Sequence, residues 1–258
     1  LIAPYRADII DRNNQALATY KTLFQLNLID ELSSSELSHM EKIGINKPYD
    51  GMLLNPYQYA YLSNQKSTSR HLTTLAERHY PSGPAIAHIL GYTGPPQKNS
   101  EHLLPQNPNV KHITGHSGIE KEHDHYLKGI IGEKHEYINA QRNVISSTIK
   151  TNAHRAEPLK LTIDRRLQEA AYDAMLGYTG SVIILNPNTG EVLAAVSSPS
   201  YDPHHPGQFE LKKLNNTHDD QAMFNRISQS LYPPGSVIKP FIALMALQNG
   251  DINVEHVI

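Results

Sequence analysis

An α+β fold in two parts is predicted for this chain of 258 residues, on three observations. Short apolar runs of strand length are interspersed with segments of helical spacing, rather than alternating with them in regular repeats. Long stretches before Pro158 follow neither period, and after Leu159 the pattern tightens into strand, helix, hairpin and helix. The length suits two domains of ordinary size, so residues 1–157 are read as a mixed first domain and 158–258 as the opening part of a second.

In order, Ile9 and Ile10 feed a strand into the turn Asp11-Arg12-Asn13-Asn14, where a hairpin is expected. Ser33 to Glu36 begins a serine-capped helix within 30–45, and Asn55-Pro56 opens another through Ala60 and Leu62. Residues 65–74 are polar and are expected to form a short extended segment. Gly94 to Pro108, rich in proline and asparagine, is expected to be a mobile loop. Leu159 to Ile163 reads as a short strand, after which Asp164 caps a helix to about Leu176 with Leu167, Ala170, Ala171, Ala174 and Met175 on its apolar face. Ser181 to Leu185 and Glu191 to Val196 flank Asn186-Pro187-Asn188-Thr189-Gly190 as a hairpin. Both runs are apolar on both faces, which predicts central strands covered by helices.

The most informative stretch is Tyr232-Pro233-Pro234-Gly235-Ser236-Val237-Ile238-Lys239. Prolines and glycine bring the chain out of a turn, and Phe241, Ile242, Leu244, Met245 and Leu247 supply helical periodicity until Gly250 offers a stop. Ser236 is thereby placed in a first helical turn. Lys239, three residues on, shares its face. The free N–H groups of a helix start favour an oxyanion, and a partly desolvated lysine could act as a neutral base toward the serine hydroxyl. Pro240 removes one intrahelical hydrogen bond directly after the lysine, which reads as a local rule broken at a functional site. Two fixed positions in four residues recur by chance, so the pattern draws its weight from context.

That context is a resemblance running along the chain. Serine and lysine three apart belong to the signature of penicillin-binding proteins and class A β-lactamases. Arg6-Ala7-Asp8-Ile9-Ile10-Asp11-Arg12-Asn13-Asn14 through Leu17-Ala18 resembles the opening motif of class B penicillin-binding proteins. Arg78-His79-Tyr80-Pro81-Ser82-Gly83 with His88-Ile89-Leu90-Gly91-Tyr92 resembles a second motif of their pedestal domain, and Gly115-His116-Ser117-Gly118-Ile119-Glu120-Lys121 a third. Leu161-Thr162-Ile163-Asp164-Arg165-Arg166-Leu167-Gln168 resembles the entry to the transpeptidase domain, and Asn225-Arg226 followed by Pro234-Gly235-Ser236 the approach to its nucleophile. The forms of the second and third motifs, with Tyr-Pro-Pro-Gly-Ser, are more similar to the type 2 elongation enzymes than to the type 3 division enzymes.

The resemblance implies a pedestal (dimerisation-like) domain over 1–157 and, over 158–258, the N-terminal part of a penicilloyl-serine transferase domain, the β-lactamase/transpeptidase-like fold. It implies a peptidoglycan D,D-transpeptidase in which Ser236 forms the acyl-enzyme, Lys239 is the base and the Ser236 N–H is one oxyanion donor. Peptidoglycan stem peptides and β-lactam antibiotics are the implied ligands. A membrane glycosyltransferase and other elongation-complex proteins are the implied partners. A location on the periplasmic side of the bacterial inner membrane is implied, with an anchor before Leu1. Arg6, Asp11, Arg12, Arg78 and Glu120 are read as pedestal structure or partner contacts, because no reaction step needs them. Alternatives are a non-catalytic module regulating a membrane glycosyltransferase, a division-type transpeptidase, and a β-lactam sensor or β-lactamase. Ala7 and Asn14 stand where the family usually has glycine; asparagine tolerates the left-handed backbone that the turn demands. Neither Ser-x-Asn nor Lys-Thr-Gly follows Ser236, so these 258 residues alone are expected to be inactive, with the apolar side chains of the Ser236 helix exposed.

Composition narrows the classes further. A net charge of −2 argues against nucleic acid or an anionic membrane surface as principal ligand. Zero cysteines exclude disulfides and thiolate metal sites. Fifteen histidines raise the question of metal, but His123-Asp124-His125 and His204-His205 lack closed-site spacing. No metal and no cofactor are expected, and scattered histidines are read as surface or core residues with possible sensitivity to pH.

Overall fold

The computed structural model describes residues 5–95, 113–139, 144–206, 221–253 and 255. It divides into two compact units, Leu1–Ile227 and Ser228–Ile258.

The first unit is organised on a five-stranded sheet. Strand β1 (Ile9–Ile10) turns into β2 (Ala16–Leu26) through the expected hairpin, with Ile10 opposite Ala16. Asn14 sits there at φ 63°, the left-handed position anticipated from its side chain. Asp11 Oδ1 accepts from the Asn13 and Gln15 amides and holds the turn. Helix α1 (Ser34–Glu41) carries a full capping box between Ser33 and Glu36 and is shorter than the 30–45 envelope. The Ser33 hydroxyl and amide, with Arg70 nearby, hold the Glu36 carboxyl down to about 2 against the effect of burial. Strand β3 (Leu53–Leu54) pairs with β2. Helix α2 (Pro56–Ser63) has its own capping box between Asn55 and Gln58.

Of residues 65–74, expected to be extended, only 72–74 are. Residues 65–71 hold turns and a 3-10 turn at Ser69–His71 before strand β4 (Leu72–His79), which pairs with β2 over eight positions, Leu26 opposite Leu72 to Thr19 opposite His79. Most of β4 is polar in sequence because one face is only half-buried, and its role is set by β2. The expected loop Gly94 to Pro108 falls mostly outside the described residues; Gly94 belongs to β5 (Thr93–Gly94), which pairs with β6 (Thr114–Gly115). Helices α3 (Ala87–Leu90), α4 (Gly118–Glu122) and α5 (Asp124–Leu127) follow these strands or precede them closely. Strands β7 (Glu133–Ile138) and β8 (Val144–Thr151) make a separate ribbon.

Strand β9 (Leu159–Lys160) runs parallel to β1 and completes the first sheet. One buried cluster contains Ala7, Ile9, Leu17, Tyr80, Ile86, Leu90, Leu127 and Ile163. The segments on either side of Pro158 therefore share a core. A second cluster, around Leu26, Met40, Ile45, Leu54 and Leu62, sits under α1 and α2.

Helix α6 (Arg165–Ala174) is capped by Asp164 as expected, but its buried face differs. Leu167 is 40% exposed, whereas Gln168 is buried. The Gln168 amide donates to the Ala85 and Ala195 carbonyls and its oxygen accepts from the Ala195 amide. A polar side chain that satisfies three buried backbone groups gains more by facing inward than a leucine without a cavity to fill. Strands β10 (Gly180–Leu185) and β11 (Val192–Ser198) form the expected hairpin. Strand β11 is buried from Ala194 to Ser198, whereas Ile183 and Leu185 of β10 are 49% and 54% exposed, which corrects the expectation of two covered central strands.

The second unit holds a 3-10 turn at Gly235–Ile238 and the helix Lys239–Asn249, ended by Gly250 in the left-handed conformation. Among the described residues no helix is long and apolar enough to cross a membrane.

Candidate functional site

The Ser236 segment is built by its own sequence. Gly235, at φ 56°, adopts a backbone that a side chain would oppose, and so turns the chain out of Pro233-Pro234. Ser236 lies inside the 3-10 turn, and the Lys239 amide closes that turn on the Ser236 carbonyl. In this geometry residues i and i+3 eclipse, so Lys239 projects on the same side as Ser236 more directly than in an α-helix. The first N–H groups of such an element have no acceptor within it.

Two expectations need correction here. Pro240 lies in the first turn of the helix Lys239–Asn249, where its missing N–H costs nothing and its fixed φ suits helix entry, so it breaks no rule. Ser236 and Lys239 are both exposed, and no hydrogen bond joins their side chains among the described residues. The desolvation invoked for the lysine is therefore not present in this unit. The helix that follows is equally exposed, with Phe241 and Leu244 at 63% and 62%, so among the described residues its face forms no pocket wall.

The pedestal residues are brought together instead. Arg6 Nε donates to Glu120 Oε2 at 2.6 Å and Arg6 Nη1 to Asp124 Oδ1 at 2.7 Å. Arg78 Nε donates to Glu120 Oε1 at 2.8 Å and its Nη1 to the Ala7 carbonyl. All of these except Asp124 are almost fully buried. Burial alone would raise the Asp124 carboxyl, but Lys128, the Gly115 amide and Arg6 hold it below its ordinary value. Tyr80 is pushed above the usual phenol range, first by burial and then by Glu120, and remains a neutral donor. Two arginines and two carboxylates make a charge-balanced node tying the first, second and third motifs. Ala7, fully buried within the main core, takes the glycine position without opening it. Asp11 is buried in the hairpin, while Arg12 reaches Glu191 at 3.7 Å near the surface.

The second and third motifs also meet backbone to backbone. A Cβ on Gly91, at φ 77°, would collide with the Ser117 carbonyl, and one on Gly118 with the Gly91 amide. Later segments then clamp the second motif: Ser200 Oγ donates to the Pro84 carbonyl and Tyr201 Oη to that of Ala87, at 2.7 and 3.0 Å.

Sequence reading placed Gln168 in the domain-entry motif but missed its inward contacts, and missed the pairing of His204 with His79 across 125 positions. Glutamine in an apolar helix could have signalled the first; nothing local signals the second. Among the described residues no group of three or more His, Asp or Glu side chains is arranged to hold a metal.

With this geometry, a buried three-motif pedestal precedes a serine-lysine turn opening an apolar helix. Residues 52–161 match the penicillin-binding protein dimerisation domain, and residues 180–258 the penicillin binding protein transpeptidase domain. The chain belongs to the class B penicillin-binding proteins. It is similar to the peptidoglycan D,D-transpeptidase FtsI of Escherichia coli, 31% identical over 212 residues, covering 80% of this chain and 32% of that protein. It is similar to the peptidoglycan D,D-transpeptidase MrdA of the same organism, 28% identical over 283 residues, covering 97% of this chain and 45% of that protein. The chain thus spans less than half the length of these relatives. Among solved structures, the complex between PBP2 and MreC from Helicobacter pylori matches with a TM-score of 0.71 at 25% identity, covering 100% of this chain and 53% of that one.

Proposed function

We propose that the protein is a serine-type peptidoglycan D,D-transpeptidase of the elongation type, with a pedestal over 1–157 and a transpeptidase domain beginning at 158. The observation that carries this reading is the Ser236-Lys239 pair, eclipsed in a 3-10 turn within the segment that matches the transpeptidase domain. Ser236 Oγ attacks the penultimate D-alanine carbonyl of a stem peptide while Lys239 takes the hydroxyl proton. The tetrahedral oxyanion is met by the Ser236 N–H, the terminal D-alanine leaves with a proton on its amine, and an amine of a neighbouring stem displaces Ser236 from the acyl group. A β-lactam follows the first half of the same course and stays attached. Lys239 needs a less exposed setting than the Ser228–Ile258 unit supplies by itself, so competence belongs to the full protein.

The elongation reading draws support from the fuller coverage by MrdA and from the likeness to PBP2 structures. The FtsI identity supports a division-type transpeptidase as the second reading. Location on the periplasmic face of the inner membrane, through an anchor before Leu1, follows from the same reading. So does pairing with a membrane glycosyltransferase. An MreC-like partner is suggested by the Helicobacter complex. A non-catalytic role for the pedestal in regulating the glycosyltransferase is compatible with the same surface.

The test is covalent labelling of the full-length protein with a fluorescent penicillin, followed by peptide mass mapping. The adduct is expected on Ser236, and Ser236→Ala is expected to abolish labelling. An adduct on another residue, or undiminished labelling of that variant, overturns the assignment.

A further inference from the structure

Asn225 joins two segments that lie far apart in the sequence. Its Nδ2 donates to the His88 carbonyl in the second pedestal motif at 3.2 Å, and its Oδ1 accepts from the Ile227 amide at 3.1 Å. The partners fix which end is which. A backbone amide can only donate and a carbonyl can only accept, so the side-chain oxygen faces Ile227 and the nitrogen faces His88. Ile227 lies in the short helix α7 (Arg226–Gln229), which begins in the first unit and ends in the second. One side chain therefore caps α7 and ties that cap to α3.

Helix α3 is a single turn, whose carbonyls cannot all be satisfied within it. Tyr201 Oη donates to that of Ala87 and Asn225 Nδ2 to that of His88, so two successive carbonyls are held by residues 114 and 137 positions further on. Strand β11 holds α7 as well. The Arg226 amide donates to Ser197 Oγ at 3.1 Å, and that hydroxyl donates to the Phe224 carbonyl at 3.2 Å. The buried Arg226 guanidinium closes the preceding turn onto the carbonyl and side-chain oxygens of Gln221, at 3.0 and 2.7 Å.

We propose that Asn225 is a positioning residue for the nucleophile: by tying α7 to the second pedestal motif it sets where the chain starts out toward Ser236. This rests on Ser236 being the nucleophile. Asn225 does no chemistry itself and acts through α7. Between α7 and the Gly235 turn lie only residues 230–234. Pro233 and Pro234 have φ fixed by their rings, and Tyr232, ahead of a proline, is confined to extended backbone. A connector this short and stiff passes a shift of α7 on to Gly235 and Ser236 instead of absorbing it. Misplacing a reacting group by about 1 Å can cost on the order of 10²-fold in rate.

The residue type is what the double contact requires. Aspartate caps a helix as well as asparagine but has no hydrogen to give to His88, and serine caps with a hydroxyl too short to reach both partners. Alanine does neither.

The test compares Asn225→Asp, Asn225→Ser and Asn225→Ala in the full-length protein, with penicillin acylation resolved by stopped flow into reversible binding and the covalent step. The Asp and Ser variants keep the cap and lose the tie. They are expected to slow the covalent step by about tenfold or more, with reversible binding within about twofold of native and the melting midpoint by circular dichroism near native. Asn225→Ala is expected to slow that step equally and to lower the midpoint as well. Native covalent rates in the Asp and Ser variants, with Ala alone slowed, would reduce Asn225 to a helix cap and overturn the proposal. So would a slowdown matched by an equal fall in the folded fraction, or weaker reversible binding at an unchanged covalent rate. The Ser236 adduct of the native protein is mapped in parallel. Its absence from every form would be a failure of the transpeptidase reading, whereas native rates in the variants would be a failure of the tie.

Discussion

The Arg6–Glu120–Arg78 node and the Ser236–Lys239 turn treat charge in opposite ways. In the node, groups that cost several kcal/mol each to bury are held in the interior because every one has a fixed partner within the same unit. In the turn, the groups proposed for the chemistry are exposed, beside apolar side chains that are exposed as well. The difference teaches that a motif specifies local geometry without specifying environment. Eclipsing Ser236 and Lys239 needs only a 3-10 turn. In the proposed reaction, activating the lysine needs a low dielectric, which the Ser228–Ile258 unit does not supply.

The comparison is tested most severely at the lysine. Lys239→Ala in the full-length protein is expected to slow penicillin acylation by about 10² to 10⁴ fold, measured by stopped-flow or timed gel fluorescence. Unchanged acylation would remove it as the base. Glu120→Gln should act on the other side, leaving two buried guanidinium groups short of a carboxylate. A loss of about 3 kcal/mol in denaturant unfolding is expected, with acylation of the folded fraction near the native rate. A parallel loss of acylation rate would show that node and turn are not separable.

Smaller effects probe how the node is framed. Gly91→Ala combines a left-handed backbone with a collision at the Ser117 carbonyl. It is expected to cost roughly 1–3 kcal/mol, read as a lowered midpoint in thermal unfolding. At the hairpin, Asn14→Gly should be close to neutral and Asn14→Ala should cost about 1 kcal/mol, because only alanine resists φ 63° without a compensating local bond. Equal stability of those two variants would deny the turn its left-handed requirement.

The local features were legible because their causes lie within a few residues. Ser33 with Glu36, Asn55 with Gln58, and Asp164 ahead of α6 cap the helices they were expected to cap. The Asp11 to Asn14 turn and the Gly250 stop are equally local. The ordered motifs identified the class of protein for the same reason, since each is a short run whose residue types answer to a turn, a close approach or a charge.

What only the tertiary structure decided is which of these residues meet, and in what medium. Gln168 faces inward because carbonyls 83 and 27 positions away need donors. His204 meets His79 across 125 positions, where no periodicity reaches. The polar run before His79 became a strand because β2 lay ready to pair with it over eight positions. Periodicity and capping chemistry act over one or two turns, so they determine the elements. Burial is a property of everything else packed around a side chain, so the inward glutamine, the buried charge node and the exposure of Lys239 could be decided only when the chain was folded.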